Sequence, residues 1–408
     1  MIDDARLQGF FTTRDGELAI GGRTAGDLIA EAGGTPLFVY DSGIVRAKIA
    51  GLRRDMPSDL HIHYAVKANP FAPLLEQIRP LVDGFDVASG GELSMALAAG
   101  MDPARISFAG PGKRDSELAE AISAGITLNV ESEGELSRAL KIARKHDRSL
   151  KAAIRVNPPF DLKGSGMRMG GGAKPFGIDA ERVPDAVRML VEGGGDFRGF
   201  HIFAGSQNLS AEAIIEAQTQ TVALAASLAA AAGISPPHVN LGGGFGVPYF
   251  PGEEALNTAA IGARLGETLS ARPDILQSTD FAIELGRFLV AEAGVYLSQV
   301  VDKKVSQETT FVITNGGLHH QLAASGNFGT VIRRNYPIMN ATRADASEGE
   351  EVDVHGCLCT PLDRLGTKVS LPVTKVGDVI ALFMAGAYGR TASPEQFLGH
   401  PPPRELLV

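Results

Sequence analysis

A lysine that ends a strand is either a solvated cap or an amine held ready for chemistry. Lys67 poses that choice in the run His63-Tyr64-Ala65-Val66-Lys67-Ala68-Asn69-Pro70. The first half alternates in bulk and reads as a strand, while small residues and Pro70 end it. In an apolar setting desolvation lowers an amine's pKa, and a neutral amine attacks a carbonyl to form a Schiff base. A carboxylate and an arginine stand three residues apart in Glu284-Leu285-Gly286-Arg287. They are either a surface ion pair or an acid facing a ring nitrogen beside an arginine on a phosphate. Gly242-Gly243-Gly244-Phe245-Gly246 departs from the dinucleotide fingerprint, because Val247 stands where the third glycine belongs. Gly112-Lys113 lacks the upstream glycine of a nucleotide phosphate loop. What remains at 242–246 is a plain tight turn, or one whose exposed N–H groups suit a single phosphate.

Amine, single-phosphate turn, carboxylate and arginine together suggest pyridoxal 5'-phosphate (PLP). The lysine would bond its aldehyde, the carboxylate keep its ring nitrogen protonated, and the turn with Arg287 hold its phosphate.

These residues need a scaffold that gathers them. Short apolar segments rich in β-branched residues lie near 61–66, 85–88, 106–109, 127–130, 152–156, 199–203, 238–241 and 281–285. Helical patterns separate them. Ser89-x-x-Glu92 and Ser132-x-x-Glu135 form capping boxes, and Asp115 reads as the cap of a third helix. Eight strand signals over roughly 225 residues predict a (β/α)8 barrel, with a doubly wound sheet as the alternative. Lys67, Asp86, Arg155, His201 with Phe203 and Ser206, the glycine run, and Glu284 all fall at strand C-terminal ends, the face where barrel sites are built. Beyond Phe288 long helical patterns vanish and strands are expected at 295–301, 309–314, 351–354, 368–373 and 379–384. The reading is a barrel over 36–288 and an all-β domain from 1–35 with 289–408. Residues 323–350 read as a long loop or insertion.

Composition narrows the class. The 408 residues are 44% hydrophobic and 21% charged, with a net charge of −9 and no basic stripe, which argues against nucleic-acid binding. No basic and apolar leader opens the chain, and no apolar run reaches the ~18 residues of a membrane span. Cys357 and Cys359, the two cysteines, are too closely spaced for a good disulfide and too few for a zinc site. A reduced, cytoplasmic protein without a metal is expected. His61, His238, His355 and His400 read as structural. His319-His320 reads as a site lining or a hydrogen-bonded pair, and Arg333-Arg334 as a solvated pair.

As an ordered set the motifs resemble the fold-type III PLP decarboxylases, which include the ornithine, diaminopimelate and arginine decarboxylases. The likeness runs through Phe85-Asp86-Val87-Ala88-Ser89 with Glu92, Arg155-Val156-Asn157-Pro158, Lys174-Pro175-Phe176-Gly177 and Gly205-Ser206-Gln207. It continues through Gly356-Cys357-Leu358-Cys359 to Asp363, then Gly386-Ala387-Tyr388 and Phe397. The resemblance implies a carboxy-lyase whose β domain completes the site across a homodimer. It implies that Lys67 bonds PLP, that Glu284 meets the pyridine nitrogen and that Arg155 lies near the ring hydroxyl. Ser206, Gly243, Gly244, Gly286, Arg287 and Tyr388 would bind phosphate, and Asp86, His201 and Phe203 complete the cofactor set. Cys359 of the partner subunit would protonate the carbon that loses CO2, as a thiol of tunable pKa can. Thr360, Asp363, Tyr388 and Phe397 would meet the substrate.

Two positions depart from the family. Phe203 stands where an imidazole usually stacks on the ring, with His201 one pleat deeper on the same side. Thr360 replaces the acid that faces a distal ammonium, leaving Asp363 as the nearest candidate. Ala109 to Asp115, Phe203 to Leu209, Gly316 to His320 and Cys359 to Asp363 are similar to a subgroup found with exosortase systems and to decarboxylases of carrier-bound glutamate. A tethered substrate has no free distal amine, which Thr360 would suit. The alternatives are an amino-acid racemase, which would need a second base where Cys359 sits, and a PLP-binding regulatory relative without turnover.

Overall fold

The computed structural model describes residue 7 and residues 9–164, 166–168, 170–326 and 334–408. It divides into two compact units. One comprises Lys48–Val247 and Ala255–Phe288, and the other Met1–Ala47, Pro248–Glu254 and Leu289–Val408.

The first unit is a closed parallel barrel. Its strands are β1 (His61–Ala65), β2 (Gly84–Val87), β3 (Ile106–Phe108), β4 (Thr127–Val130), β5 (Lys151–Asn157), β6 (Asp196–Ile202), β7 (His238–Asn240) and β8 (Asp280–Leu285). Each pairs in parallel with the next, and β8 returns to β1 through Ala282 opposite His61 and Leu285 opposite Tyr64. That closure excludes the doubly wound alternative. Outward residues such as Ile62 and Tyr64 are buried, as the strand's period of two demands. The helices answer with apolar stripes; Val183–Glu192 buries Val183, Ala186, Val187 and Leu190 at helical spacing.

Local chemistry sets the helix starts. Ser89 Oγ accepts from Glu92 N at 3.1 Å, and Ser132 Oγ accepts from Glu135 N at 3.1 Å, so both expected caps form. Asp115 differs from expectation. It is the first helical residue, with its carboxylate 2.5 Å from Arg138, while Glu117 reaches back to the amide of Arg114 at 3.0 Å.

The second unit holds an eight-stranded sheet. Its main path runs Ile338–Asn340, Val379–Leu382, Gly294–Ser306, Thr309–Thr314, Gly349–His355 and Arg364–Pro372. Leu37–Tyr40 lies antiparallel to Gly294–Ser306 and parallel to Arg404–Leu407. A boundary at residue 36 therefore falls just before a strand of the β unit. Its partners lie more than 250 residues away, beyond the reach of any local pattern. The expected 323–350 loop contains the strand Ile338–Asn340, and its residues 327–333 lie outside the described ones. Thr12–Arg14, Glu17–Ile20 and Arg23–Thr24 form a separate antiparallel sheet. Among the described residues no helix is long and apolar enough to cross a membrane.

Candidate active site

Lys67 sits in a single helical turn, Val66–Ala68, directly after β1. The chain is fixed there by Tyr64, whose hydroxyl donates to Asn69 O at 2.9 Å, and by Asn69 Oδ1, which accepts from Phe71 N at 3.1 Å. The lysine Nζ lies 4.0 Å from Glu284 Oε1 and 5.9 Å from the centre of the Phe203 ring. Its side chain is 46% exposed, against 7% for that of Glu284. The amine is therefore reachable, while the acid is fixed beneath it.

Glu284 is the last but one residue of β8, and its Oε2 accepts from His201 Nε2 on β6 at 2.9 Å. Burial pushes this carboxyl up, but the His201 bond and the charges of His201, Lys67 and Arg155 outweigh it, holding the group down at about 2. Oε1 stands outside hydrogen-bonding distance of Lys67 and faces the same face of the barrel. His201 therefore props Glu284, and its buried Nδ1 has no hydrogen-bond partner among the described residues.

Arg155 on β5 donates to Glu131 Oε1 at 2.7 Å, with the Phe176 ring 5.1 Å from its guanidinium carbon. The same Glu131 accepts from Gly110 N at 2.5 Å and Gly177 N at 3.3 Å. Behind it Lys113 Nζ is buried, donating to Gly110 O at 2.9 Å, Asn129 O at 2.8 Å and Glu135 Oε1 at 2.8 Å. Sequence reasoning left the ends of β3 and β4 without functional residues; this network occupies them. Its available signal was Glu131, an acid just after β4 and just before a capping box.

Asp86 on β2 lies deeper. Its Oδ1 accepts from Ser107 Oγ and His63 Nδ1, the latter at 3.4 Å, and its buried Oδ2 has no partner among the described residues. The glycine run does structural work first. A Cβ on Gly243 would stand 2.0 Å from the Glu284 carbonyl oxygen, so only glycine lets β7 and β8 close here. A Cβ on Gly286 would stand 2.8 Å from Ala68 Cβ, which lets the lysine turn nestle against the end of β8. Near the run, the buried hydroxyl of Ser206 has no partner among the described residues, and Gln207 beside it holds a left-handed φ of 57°. Arg287 opens the short helix Arg287–Val290.

The remaining candidates lie in the β unit. Cys359 is exposed, whereas Cys357 is half-buried. Cys357 Sγ lies 3.6 Å from Asn315 O, and burial with the nearby Asp363 charge pushes its thiol up to about 11. Cys359 is thus the thiol open to a reacting group. Thr360 Oγ1 accepts from Leu362 N at 3.3 Å. Asp363 differs from its expected role facing a distal ammonium. It is buried, with Oδ1 accepting from Leu318 N at 2.6 Å and Oδ2 from Leu358 N at 2.8 Å, so its carboxylate ties two loops together. Tyr388 is half-buried at a left-handed φ of 53°, rare for a bulky residue, and Phe397 is exposed. His320 bonds the Tyr296 hydroxyl at 2.9 Å and faces Pro401 O at 3.1 Å, while the buried His319, tilted against the His320 ring, has no hydrogen-bond partner among the described residues. Arg333 lies outside the described residues. Arg334 is paired, 3.0 Å from Glu253 and 3.8 Å over the Phe250 ring.

The barrel's donor set fits a phosphorylated pyridine aldehyde. It offers an accessible amine, a buried anionic carboxylate for a ring N–H, and an orphaned buried hydroxyl for an oxyanion. Residues 42–291 match the family model described as the pyridoxal binding domain of pyridoxal-dependent decarboxylases. The chain is 39% identical to L-glutamyl-[BtrI acyl-carrier protein] decarboxylase of Niallia circulans, over 91% of this chain and 88% of that one. It is 32% identical to diaminopimelate decarboxylase of Methanothermobacter thermautotrophicus, over 96% and 91%. It is also 30% identical to a Staphylococcus aureus enzyme, 2-[(L-alanin-3-ylcarbamoyl)methyl]-2-hydroxybutanedioate decarboxylase, over 91% and 93%. The structure of diaminopimelate decarboxylase from M. jannaschii with L-lysine superposes with a TM-score of 0.89 at 27% identity, covering 98% of this chain and 93% of that one. With barrel, β unit and site chemistry in agreement, the chain belongs to the PLP-dependent decarboxylases of fold-type III and is a carboxy-lyase that uses pyridoxal phosphate.

Proposed function

We propose that this decarboxylase acts on an amino acid whose distal end carries no free ammonium, presented on an acyl carrier protein. The observation that carries the reading is the turn at Thr360. A distal ammonium brought out of water needs a counter-charge. Thr360 offers a neutral hydroxyl, and the acid nearest in sequence, Asp363, gives both oxygens to backbone amides. The N. circulans relative acts, by its name, on a glutamyl group held by a carrier protein.

In this reading Lys67 would hold PLP through its aldehyde, and Glu284, kept ionised by His201, would hold a proton on the ring nitrogen. PLP supplies the electron sink for the pair left when CO2 departs. Phe203 would offer its face to the ring, and Arg155, aimed by Glu131, would serve the ring hydroxyl. Ser206, Gly243, Gly244, Gly286, Arg287 and Tyr388 take the phosphate. Cys359 Sγ, from the partner subunit of a homodimer, delivers the proton to the carbon vacated by CO2. Two free cysteines support a reducing, cytoplasmic setting.

The test offers PLP-loaded enzyme free glutamate, ornithine, lysine and diaminopimelate, and glutamyl-carrier protein, and measures CO2 release. The carrier-bound substrate should lead in kcat/KM by about 10²-fold or more. A preference for a free diamino acid would overturn the substrate reading and leave the decarboxylase standing.

A further inference from the structure

The barrel is incompletely filled at the end away from Lys67. Barrels of this kind normally pack their interior with layers of bulky side chains. Here a cavity of about 390 Å³ opens among residues at the N-terminal ends of the strands. His61 and His63 of β1, Arg198 and Phe200 of β6, His238 of β7 and Asp280 of β8 stand around it. Small residues, Ala104, Thr127 and Ala153, leave the room. At ~30 Å³ per molecule, that is space for about a dozen waters. Arg105, Arg198 and Asp280 are exposed, so the cavity opens to solvent at its rim. Lys67, Arg155, His201 and Glu284 are not among its walls.

Three imidazoles and two guanidiniums line the walls beside two carboxylates. The His61 and His63 rings both stack on that of His238, at 6.2 Å and 5.7 Å. Neither His61 nor His238 makes a side-chain hydrogen bond among the described residues. Arg105 spends its guanidinium on the carbonyl oxygens of Val82 and Asp83 and so keeps its charge. Asp83 is already engaged by Arg53 at 2.5 Å and the Ile62 amide at 2.7 Å. His63 faces Asp86 at 3.4 Å, and Arg198 has Asp196 at 3.5 Å. That leaves Asp280, paired with His238 across the sheet, as the lining carboxylate without an ion pair among the described residues. Burial first, then His63, His61, Arg198 and His201, hold the His238 imidazole down at about 3. A negative group beside this ring would act against that lowering.

We propose that this cavity binds a small oxyanion, a phosphate or carboxylate group of a compact metabolite, held by His61, His238 and Arg198 on the barrel face opposite the catalytic lysine. Binding favours the charged form of His238, so affinity rises as pH falls. The groups around that imidazole are His61 and His63 on β1, Arg198 and His201 on β6, and Asp280 on β8.

The test is calorimetric titration of the full-length, PLP-loaded protein with inorganic phosphate and, separately, with succinate, at about pH 6 and about pH 8. Bound PLP keeps free phosphate from the cofactor's own site. Saturable binding of one anion per chain is expected, tighter at the lower pH and weakened roughly tenfold or more in His238→Asn and in Arg198→Gln. Arg198 stands on the exposed rim, so its variant reports even if His238→Asn folds poorly. Binding of phosphate alone or succinate alone identifies the source of the oxyanion, and binding of both makes the oxyanion itself the determinant. The proposal is overturned if neither anion saturates the protein below about 10 mM, or if binding survives both substitutions unchanged.

Discussion

His201 and Glu284 show how a residue's role depends on what lies across the barrel from it. Alternation puts His201 and Phe203 on one side, with His201 one pleat deeper than the position where the family stacks an imidazole. In the fold His201 bonds Glu284 at 2.9 Å, and Phe203 is left beside the lysine. A carboxyl depressed by such a bond contributes stability above its ordinary pKa of 4.5, lost only as pH falls through about 2. In the wild type, then, Glu284 stays ionised throughout the working range. His201→Phe removes the counterweight while burial still pushes Glu284 up. The acidic limb of the kcat/KM profile should move to higher pH, with the visible absorption of the lysine-bound cofactor retained. An acidic limb that stays in place would remove His201 from this role. Lys67 and Glu284 stood out because each ends a strand signal and suits the same chemistry. Glu131 also follows a strand signal, but nothing local announces that an acid will meet an arginine 24 residues on.

Elements were legible where their signal is local. All eight barrel strands follow runs of β-branched and apolar residues, and both serine capping boxes form as their spacing demands. The misses are non-local: Leu37–Tyr40 takes partners from the far end of the chain, and the β3 and β4 loops are tied together through a buried lysine and carboxylate. Lys113 joins those loops, its Nζ satisfied by two carbonyls and Glu135 at 2.8 to 2.9 Å. Removing one partner of a buried pair strands the other in low dielectric, at about 3–5 kcal/mol. Lys113→Met should lower the urea-unfolding free energy by that amount and loosen Arg155 through Glu131. The double variant Lys113→Met with Glu135→Leu should recover part of the loss, since no charge is then left stranded. A single variant within about 0.5 kcal/mol of wild type would mean that the network carries no such strain.

At the scale of the whole molecule, composition argued against nucleic-acid binding and motif order implied the decarboxylase family, but one chain's sequence cannot display what a second copy contributes. The proposed site takes Lys67 from one subunit and Cys359 from its partner, and that has a stoichiometric consequence. Lys67→Ala should lose the visible absorption of the bound cofactor and all turnover. Cys359→Ala should keep the absorption but form the amine about 10²-fold more slowly, having lost its proton donor. Mixed in equal amounts and allowed to exchange subunits, the two variants give half heterodimers. In each heterodimer one site has lost both groups, while the other pairs an intact Lys67 with an intact Cys359. Amine formation should therefore return to about a quarter of the wild-type rate in a symmetric dimer. If both groups of a site came from the same chain, every site in the mixture would lack one of them. A mixture no faster than its separate components, with subunit exchange verified by differently tagged chains, would place Cys359 in the same subunit's site or outside the reaction.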